Sequence, residues 1–197
     1  MIYQVCRSLA GAFYSVVFRL EGRGMENVPS EGPVILCANH TSNHDPLVVA
    51  VCLKKRPVTF MAKAELFRVP VLGPLIRKLG AFPVKRGGVS KESIKHSIEL
   101  LKSGKVITIF PEGSRSNSGG AGKKGAAMLA LRSQAAVVPI AILGSYKPFH
   151  RTTVIYGPPV DLAEFAGGGS DQLEAATEKI MSVIRNMVTT HKKLGKN

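Results

Sequence analysis

The feature that most constrains this chain is a repeated alternation: short, continuously apolar runs separated by stretches of helical periodicity. The runs are Val34–Ala38, Val58–Ala62, Ala81–Val84, Val106–Phe110, Val137–Leu143 and Thr153–Tyr156. Each is apolar at successive positions rather than at every second one, the pattern of strands covered on both faces. Helical spacing falls between them at Pro46–Leu53, Glu65–Leu79, Lys91–Ser103 and Lys123–Ser133. A last helix is expected over about Asp171–His191, where Leu173, Ala176, Ile180, Ile184 and Met187 recur at helical intervals behind the entry loop Gly167–Ser170. Strands alternating with helices imply right-handed crossovers. The expected fold is therefore α/β, a mostly parallel, twisted sheet flanked by helices.

Such sheets bind ligands beyond the carboxyl ends of their strands. The polar clusters fall there. Asn39–Asp45 follows the first run, Lys63 the second, Lys85–Gly88 the third and Glu112–Ser116 the fourth. All four are thus expected on one rim of the sheet.

The N-terminal stretch Met1–Leu20 contains the apolar segment Leu9–Phe18, bracketed by Arg7 and Arg19. It is too short to span about 30 Å of hydrocarbon, and it lacks the basic start and small-residue cleavage site of a signal peptide. Ile2, Cys6, Leu9, Phe13, Val16 or Val17, and Leu20 recur at helical spacing. The segment reads as an amphipathic helix that packs on the domain or lies in a bilayer interface. The expected division is a membrane-interface helix over 1–22 and one α/β domain over 23–197.

Charge narrows the partners. Lysine and arginine number 27 against 13 acids, giving a formal charge of +14, and such a surface seeks anions. Nucleic acid is disfavoured as a partner, because aromatic residues make up only 6% and no zinc-finger or RNA-recognition signature occurs. An anionic membrane surface or an acidic ligand fits better. Cys6, Cys37 and Cys52 form no Cys-x-x-Cys pair, and a reducing, cytoplasmic setting is the simplest fit.

The densest polar block is Asn39-His40-Thr41-Ser42-Asn43-His44-Asp45-Pro46. A tight loop that folds Asp45 back onto His40 would fix the imidazole tautomer and leave the other nitrogen free as a general base. The plainer alternative is that both histidines only satisfy loop hydrogen bonds. A metal set of His40, His44 and Asp45 is a third reading, but His-x3-His suits zinc only on a helix, and Pro46 disfavours helical geometry at Asp45. The second block is Ile109-Phe110-Pro111-Glu112-Gly113-Ser114-Arg115-Ser116. Arg115 suits a phosphate through its planar fork, and Glu112 could accept a hydroxyl or simply pair with an arginine. Lys85-Arg86-Gly87-Gly88 reads either as a phosphate loop or as a solvated turn.

Taken together and in this order, the blocks resemble the glycerolipid acyltransferase family, and most closely its bacterial 1-acylglycerol-3-phosphate branch. The likeness rests on residues 39–46, Gly-Ala-Phe-Pro-Val-Lys-Arg at 80–86, Phe-Pro-Glu-Gly-Ser-Arg-Ser at 110–116 and Val-Val-Pro-Ile-Ala at 137–141. It covers roughly residues 25–160. The resemblance implies a glycerol-3-phosphate acyltransferase-like fold with His40 as base and Asp45 orienting it. Arg86 would be the family's phosphate-binding arginine, and Glu112, Gly113 and Arg115 its acceptor-binding block; Ser114 within that block and Lys63, by its place after the second run, are further candidates for substrate contact. Pro139 falls in the block associated with the acyl donor. No cofactor is implied: the substrates would be lysophosphatidic acid and acyl-CoA or acyl carrier protein. The product would be phosphatidic acid for phospholipid synthesis, made at the cytoplasmic face of the cell membrane. Another lysolipid or glycerol 3-phosphate as acceptor, or a metal-dependent hydrolase, are the competing readings. Ser114 stands where threonine is frequent in the family, and the N-terminal region is shorter than in many relatives.

Overall fold

The structure, a computed structural model, describes residues 2–84, 91–112 and 122–194. An N-terminal helix, α1 (Ile2–Val17), leads into a short strand, β1 (Glu21–Arg23). Then follow β2 (Val34–Ala38), α2 (Asp45–Cys52), β3 (Val58–Lys63), α3 (Leu72–Lys78), β4 (Phe82–Val84), α4 (Lys91–Lys102) and β5 (Val106–Ile109). The chain ends with α5 (Gly122–Ser133), β6 (Ala136–Leu143), β7 (Thr153–Tyr156) and α6 (Ser170–Leu194). The strands form one seven-stranded sheet in the order β1-β7-β6-β2-β5-β3-β4. Every pairing is parallel except β6 with β7, which is antiparallel. The expected α/β fold, with its mostly parallel sheet and N-terminal helix, is the one found.

The pleat divides the core in two. On β2, Val34, Leu36 and Ala38 point into the layer built with α1 and α2, while Ile35 and Cys37 point into the layer of α4, α5 and α6. All five are fully buried, as a continuously apolar central strand requires. Because β2, β5, β3 and β4 are neighbours and parallel, their carboxyl ends share one rim.

Three local expectations are corrected. The stretch read as one helix over Glu65–Leu79 is a 3-10 turn (Ala64–Arg68) followed by α3, broken at Pro70 and at Val71, whose φ is 66°. Gly73 lets the chain fold back, since a Cβ there would collide with the Phe67 carbonyl. Helix α2 begins at Asp45 with Pro46 inside its first turn, where a missing N–H leaves no bond unmade. Proline therefore does not keep Asp45 out of helical geometry. In α1, the repeat of apolar residues mixes two faces. Tyr14 and the following Phe18 are buried, and Ala10 and Val17 pack beside them. Ile2, Val5, Leu9, Phe13 and Val16 face outward with 46–69% of their surface exposed.

Arg56 anchors the opposite rim. It is only 9% exposed and donates to the carbonyls of Pro29, Gly32 and Gly104, tying the approaches to β2 and β5 together.

Candidate active site

The loop after β2 is organised around one carboxylate. Asp45 is fully buried at the start of α2. Its Oδ2 accepts from His40 Nδ1 at 2.9 Å and from the backbone N–H groups of Thr41 at 2.6 Å and Ser42 at 2.7 Å. Its Oδ1 accepts from the Tyr146 hydroxyl at 2.6 Å. The loop folds back because its own backbone donors find this acceptor one helical turn away. Burial pushes the Asp45 carboxyl up, but the bonds from His40, Tyr146, Ser42 and Thr41 outweigh it and hold the group below its ordinary value. Asp45 is thus an ionised acceptor, His40 Nδ1 is the donor, and His40 Nε2 carries the free lone pair.

His40 is held from other directions too. Its ring stacks on Phe110, at the end of β5, with centroids 4.2 Å apart and planes 26° from parallel. Asn39, the preceding residue, exchanges two hydrogen bonds with the backbone of Ile142 on β6, one as donor at 3.0 Å and one as acceptor at 2.7 Å. The imidazole is 19% exposed in its side chain, reachable yet fixed in orientation.

His44 points elsewhere. Its Nδ1 is hydrogen-bonded to the Tyr14 hydroxyl at 2.7 Å, and its ring stacks on Tyr146. The geometry therefore does not assemble His40, His44 and Asp45 as one ligand set. Among the described residues no group of three His, Cys, Asp or Glu side chains converges in a metal-binding arrangement.

His40 opens onto a cavity of about 690 Å³. One wall is α1 and α2, through Tyr3, Cys6, Ala10, Leu47 and Ala50; the other is β3 and α3, through Phe60, Ala62, Leu72, Ile76 and Leu79. The lining is almost wholly apolar. Tyr14, near the outer end of α1, meets the His40–Asp45 loop, whereas the Tyr3 hydroxyl accepts from the Val58 N–H at the start of β3. The cavity thus runs from His40 at the carboxyl rim of the sheet toward Tyr3 at its amino rim, and its α1 wall, from Tyr3 to Ala10, is about 10 Å long, seven residues at about 1.5 Å each.

The remaining expected site residues are distributed as follows. Lys63 is exposed and lines the same cavity as His40. Glu112 is exposed, two positions after the Phe110 that stacks on His40. Arg86, Gly113, Ser114 and Arg115 lie outside the described residues. Pro139 is buried in β6, paired in register with Cys37 of β2. Sequence reasoning did not assign Tyr146, Tyr14 or Phe110. Phe110 could have been found from its place at a strand end beside the polar block. Tyr146 could not, because 101 residues separate it from its partner.

The acyltransferase family model matches residues 19–143, a stretch that runs from β1 to the end of β6 and includes the His40–Asp45 pair. The 1-acyl-sn-glycerol-3-phosphate acyltransferase of Bacillus subtilis (strain 168) is 30% identical over 192 residues, covering 94% of this chain and 96% of that one. The enzyme of the same name from Streptococcus pneumoniae is 30% identical over 159 residues, 78% of this chain and 60% of that one. The crystal structure of the 1-acyl-sn-glycerophosphate (LPA) acyltransferase PlsC from Thermotoga maritima superposes with a TM-score of 0.73 at 25% identity, over 96% of this chain and 78% of that chain.

Proposed function

The chain belongs to the acyltransferase family, and from that premise we propose that it moves a fatty acyl group from a thioester to the sn-2 hydroxyl of 1-acyl-sn-glycerol 3-phosphate. One observation carries the reading: a buried, ionised carboxylate orients an imidazole at the mouth of a deep apolar cavity. The first element suits proton abstraction from a hydroxyl, and the second suits a hydrocarbon chain. The names of the relatives support the choice of acceptor.

His40 Nε2 takes the proton of the acceptor hydroxyl while its oxygen attacks the thioester carbonyl. The tetrahedral oxyanion collapses, the C–S bond breaks, and the departing thiolate takes the proton back from His40. Asp45 holds the Nδ1–H and stabilises the imidazolium that exists between these two proton transfers. No acyl-enzyme forms. The acyl chain lies in the cavity, with the thioester at His40. Lys63, at the rim, and Glu112 flank the acceptor. Arg86 and Arg115 are the phosphate ligands, and Gly113 and Ser114 contact the substrate beside them. The donor is acyl-CoA or acyl carrier protein, both of which suit a strongly basic surface.

Catalysis takes place at the cytoplasmic face of the membrane, as one step of phospholipid synthesis. No helix among the described residues is long and apolar enough to cross a bilayer. The outward stripe of α1 and the exposed Leu66, Val69, Val71, Leu72 and Leu75 leave apolar side chains on the outer surface of the segments that flank the cavity. Together with exposed Arg68, Arg77 and Lys78 they suit an anionic leaflet. Residues 1–22 act as the membrane-interface segment and 23–197 as the catalytic domain.

The test offers 1-acylglycerol 3-phosphate, monoacylglycerol and glycerol 3-phosphate in parallel, each with acyl-CoA and with acyl carrier protein. Phosphatidic acid formed from the first acceptor, with little product from the other two, supports the reading. Equal use of monoacylglycerol would refute the role given to the phosphate.

A further inference from the structure

The buried carboxylate of Asp45 is satisfied unevenly. Its Oδ2 collects three donors, His40 Nδ1 and the N–H groups of Thr41 and Ser42. Its Oδ1 has Tyr146 at 2.6 Å and, more distantly, the Thr41 hydroxyl at 3.4 Å. Tyr146 is thus the one close donor to that oxygen among the described residues.

Tyr146 stands three positions beyond the stretch matched by the family model, in the turn between β6 and β7. Its backbone has a φ of 47°, a region in which a bulky L residue is held only by its surroundings. Those surroundings are visible. Its ring stacks on His44 with centroids 5.0 Å apart and meets Phe18 edge-on at 5.9 Å. The same turn is sewn to the end of α1 by backbone bonds, Phe149 N–H to the Val17 carbonyl and Thr152 N–H to the Phe18 carbonyl. On the other side of His44, the Tyr14 hydroxyl closes the bracket.

We propose that Tyr146 is a positioning residue of the acyl transfer, whose hydroxyl fixes the plane of the Asp45 carboxylate so that Oδ2 stays aimed at His40 Nδ1, and whose clamped ring keys that carboxylate to the end of α1. The proposal rests on His40 being the base. A carboxylate bound along one edge can still rock about its Cβ–Cγ bond; a short bond to the second oxygen stops the rocking. Burial, and then the Asp45 charge, push the Tyr146 phenol far above its ordinary value, so the group remains a donor at every working pH. In the N-terminal direction, the bracket joins the helix with the outward apolar stripe directly to the residues that orient the base.

Tyr146→Phe keeps the ring and its stacking and removes the donor alone. It is assayed beside wild type and His40→Ala with one acyl thioester and 1-acylglycerol 3-phosphate. The expected result is a folded variant whose kcat falls by about ten- to a hundredfold, with KM for both substrates within about twofold of wild type. Wild-type kcat in the Phe variant overturns the proposal, since packing alone would then suffice. A raised KM with kcat intact overturns it as well.

A second measurement needs neither turnover nor a variant fold. In proton NMR of the substrate-free wild type, the His40 Nδ1–H and the Tyr146 hydroxyl should both give slowly exchanging low-field signals. A Tyr146 hydroxyl exchanging as fast as a free phenol overturns the proposal. Should wild type transfer nothing to this acceptor, the functional reading fails, and the NMR signal alone decides the position of Tyr146.

Discussion

Replacing Asp45 by Asn separates the charge of this residue from its shape. The amide oxygen can occupy the Oδ2 position, where it keeps the bonds from Thr41 N–H, Ser42 N–H and His40 Nδ1. The amide NH2 then faces Tyr146, whose hydroxyl can turn from donor to acceptor. The loop should therefore survive with His40 in the same tautomer. What disappears is the negative charge beside the imidazolium of the transition state. With Nδ1 and Oδ2 2.9 Å apart, the charge centres lie about 4 Å from each other. At an effective dielectric of about 20 their attraction is worth about 4 kcal/mol, or a factor of about 10³ in rate. Single-turnover acyl transfer, with folding monitored by circular dichroism, reads this directly. An Asn variant within about threefold of wild type would refute the electrostatic role of Asp45. Acid stability supplies a second readout. The folded carboxyl lies below its ordinary value of 3.8, so it stabilises the fold fully above that value and loses this contribution as pH falls through the lower folded value. The Asn variant should show a shallower loss of Tm on acidification over that window.

Three further outcomes are expected. Arg56→Met removes donors to three carbonyls at the rim opposite the site; it should cost about 3 kcal/mol in urea unfolding and leave kcat of the folded enzyme unchanged. Ala10→Leu places bulk partway down the cavity wall, so competition among acyl-CoA chain lengths should shift toward shorter chains, and an unchanged profile would mean that the chain binds elsewhere. Leu9→Asp with Phe13→Asp charges the outward stripe, at residues 69% and 52% exposed; binding to anionic vesicles in a flotation assay should fall at least about tenfold with Tm unchanged.

The parts of the fold that were legible in the sequence are those where burial acts on consecutive residues. Strands β2 to β7 announced themselves as apolar runs because helices cover both faces of the sheet. Strand β1 did not, because Glu21-Gly22-Arg23 carries no apolar signal and is specified by its pairing with β7. Nor does an apolar run carry a direction, so the antiparallel pairing of β7 with β6 had no trace. Pro46 and Pro70 look alike in sequence, yet one opens a helix and the other precedes a break at Val71; only the backbone around each distinguishes them. The His40–Asp45 pair was legible because both partners lie in one loop. The Tyr146 bond and the Tyr14–His44 bond were not, since each joins segments that only the fold brings together.

The proposed chemistry turns on His40 as the base that activates the acceptor hydroxyl. Its most direct test is the phosphatidic acid formed from acyl thioester and 1-acylglycerol 3-phosphate by wild type and by His40→Ala of equal fold. With His40 as the base, the product formed by wild type drops by at least about 10²-fold in the Ala variant. Comparable product from both proteins would contradict it.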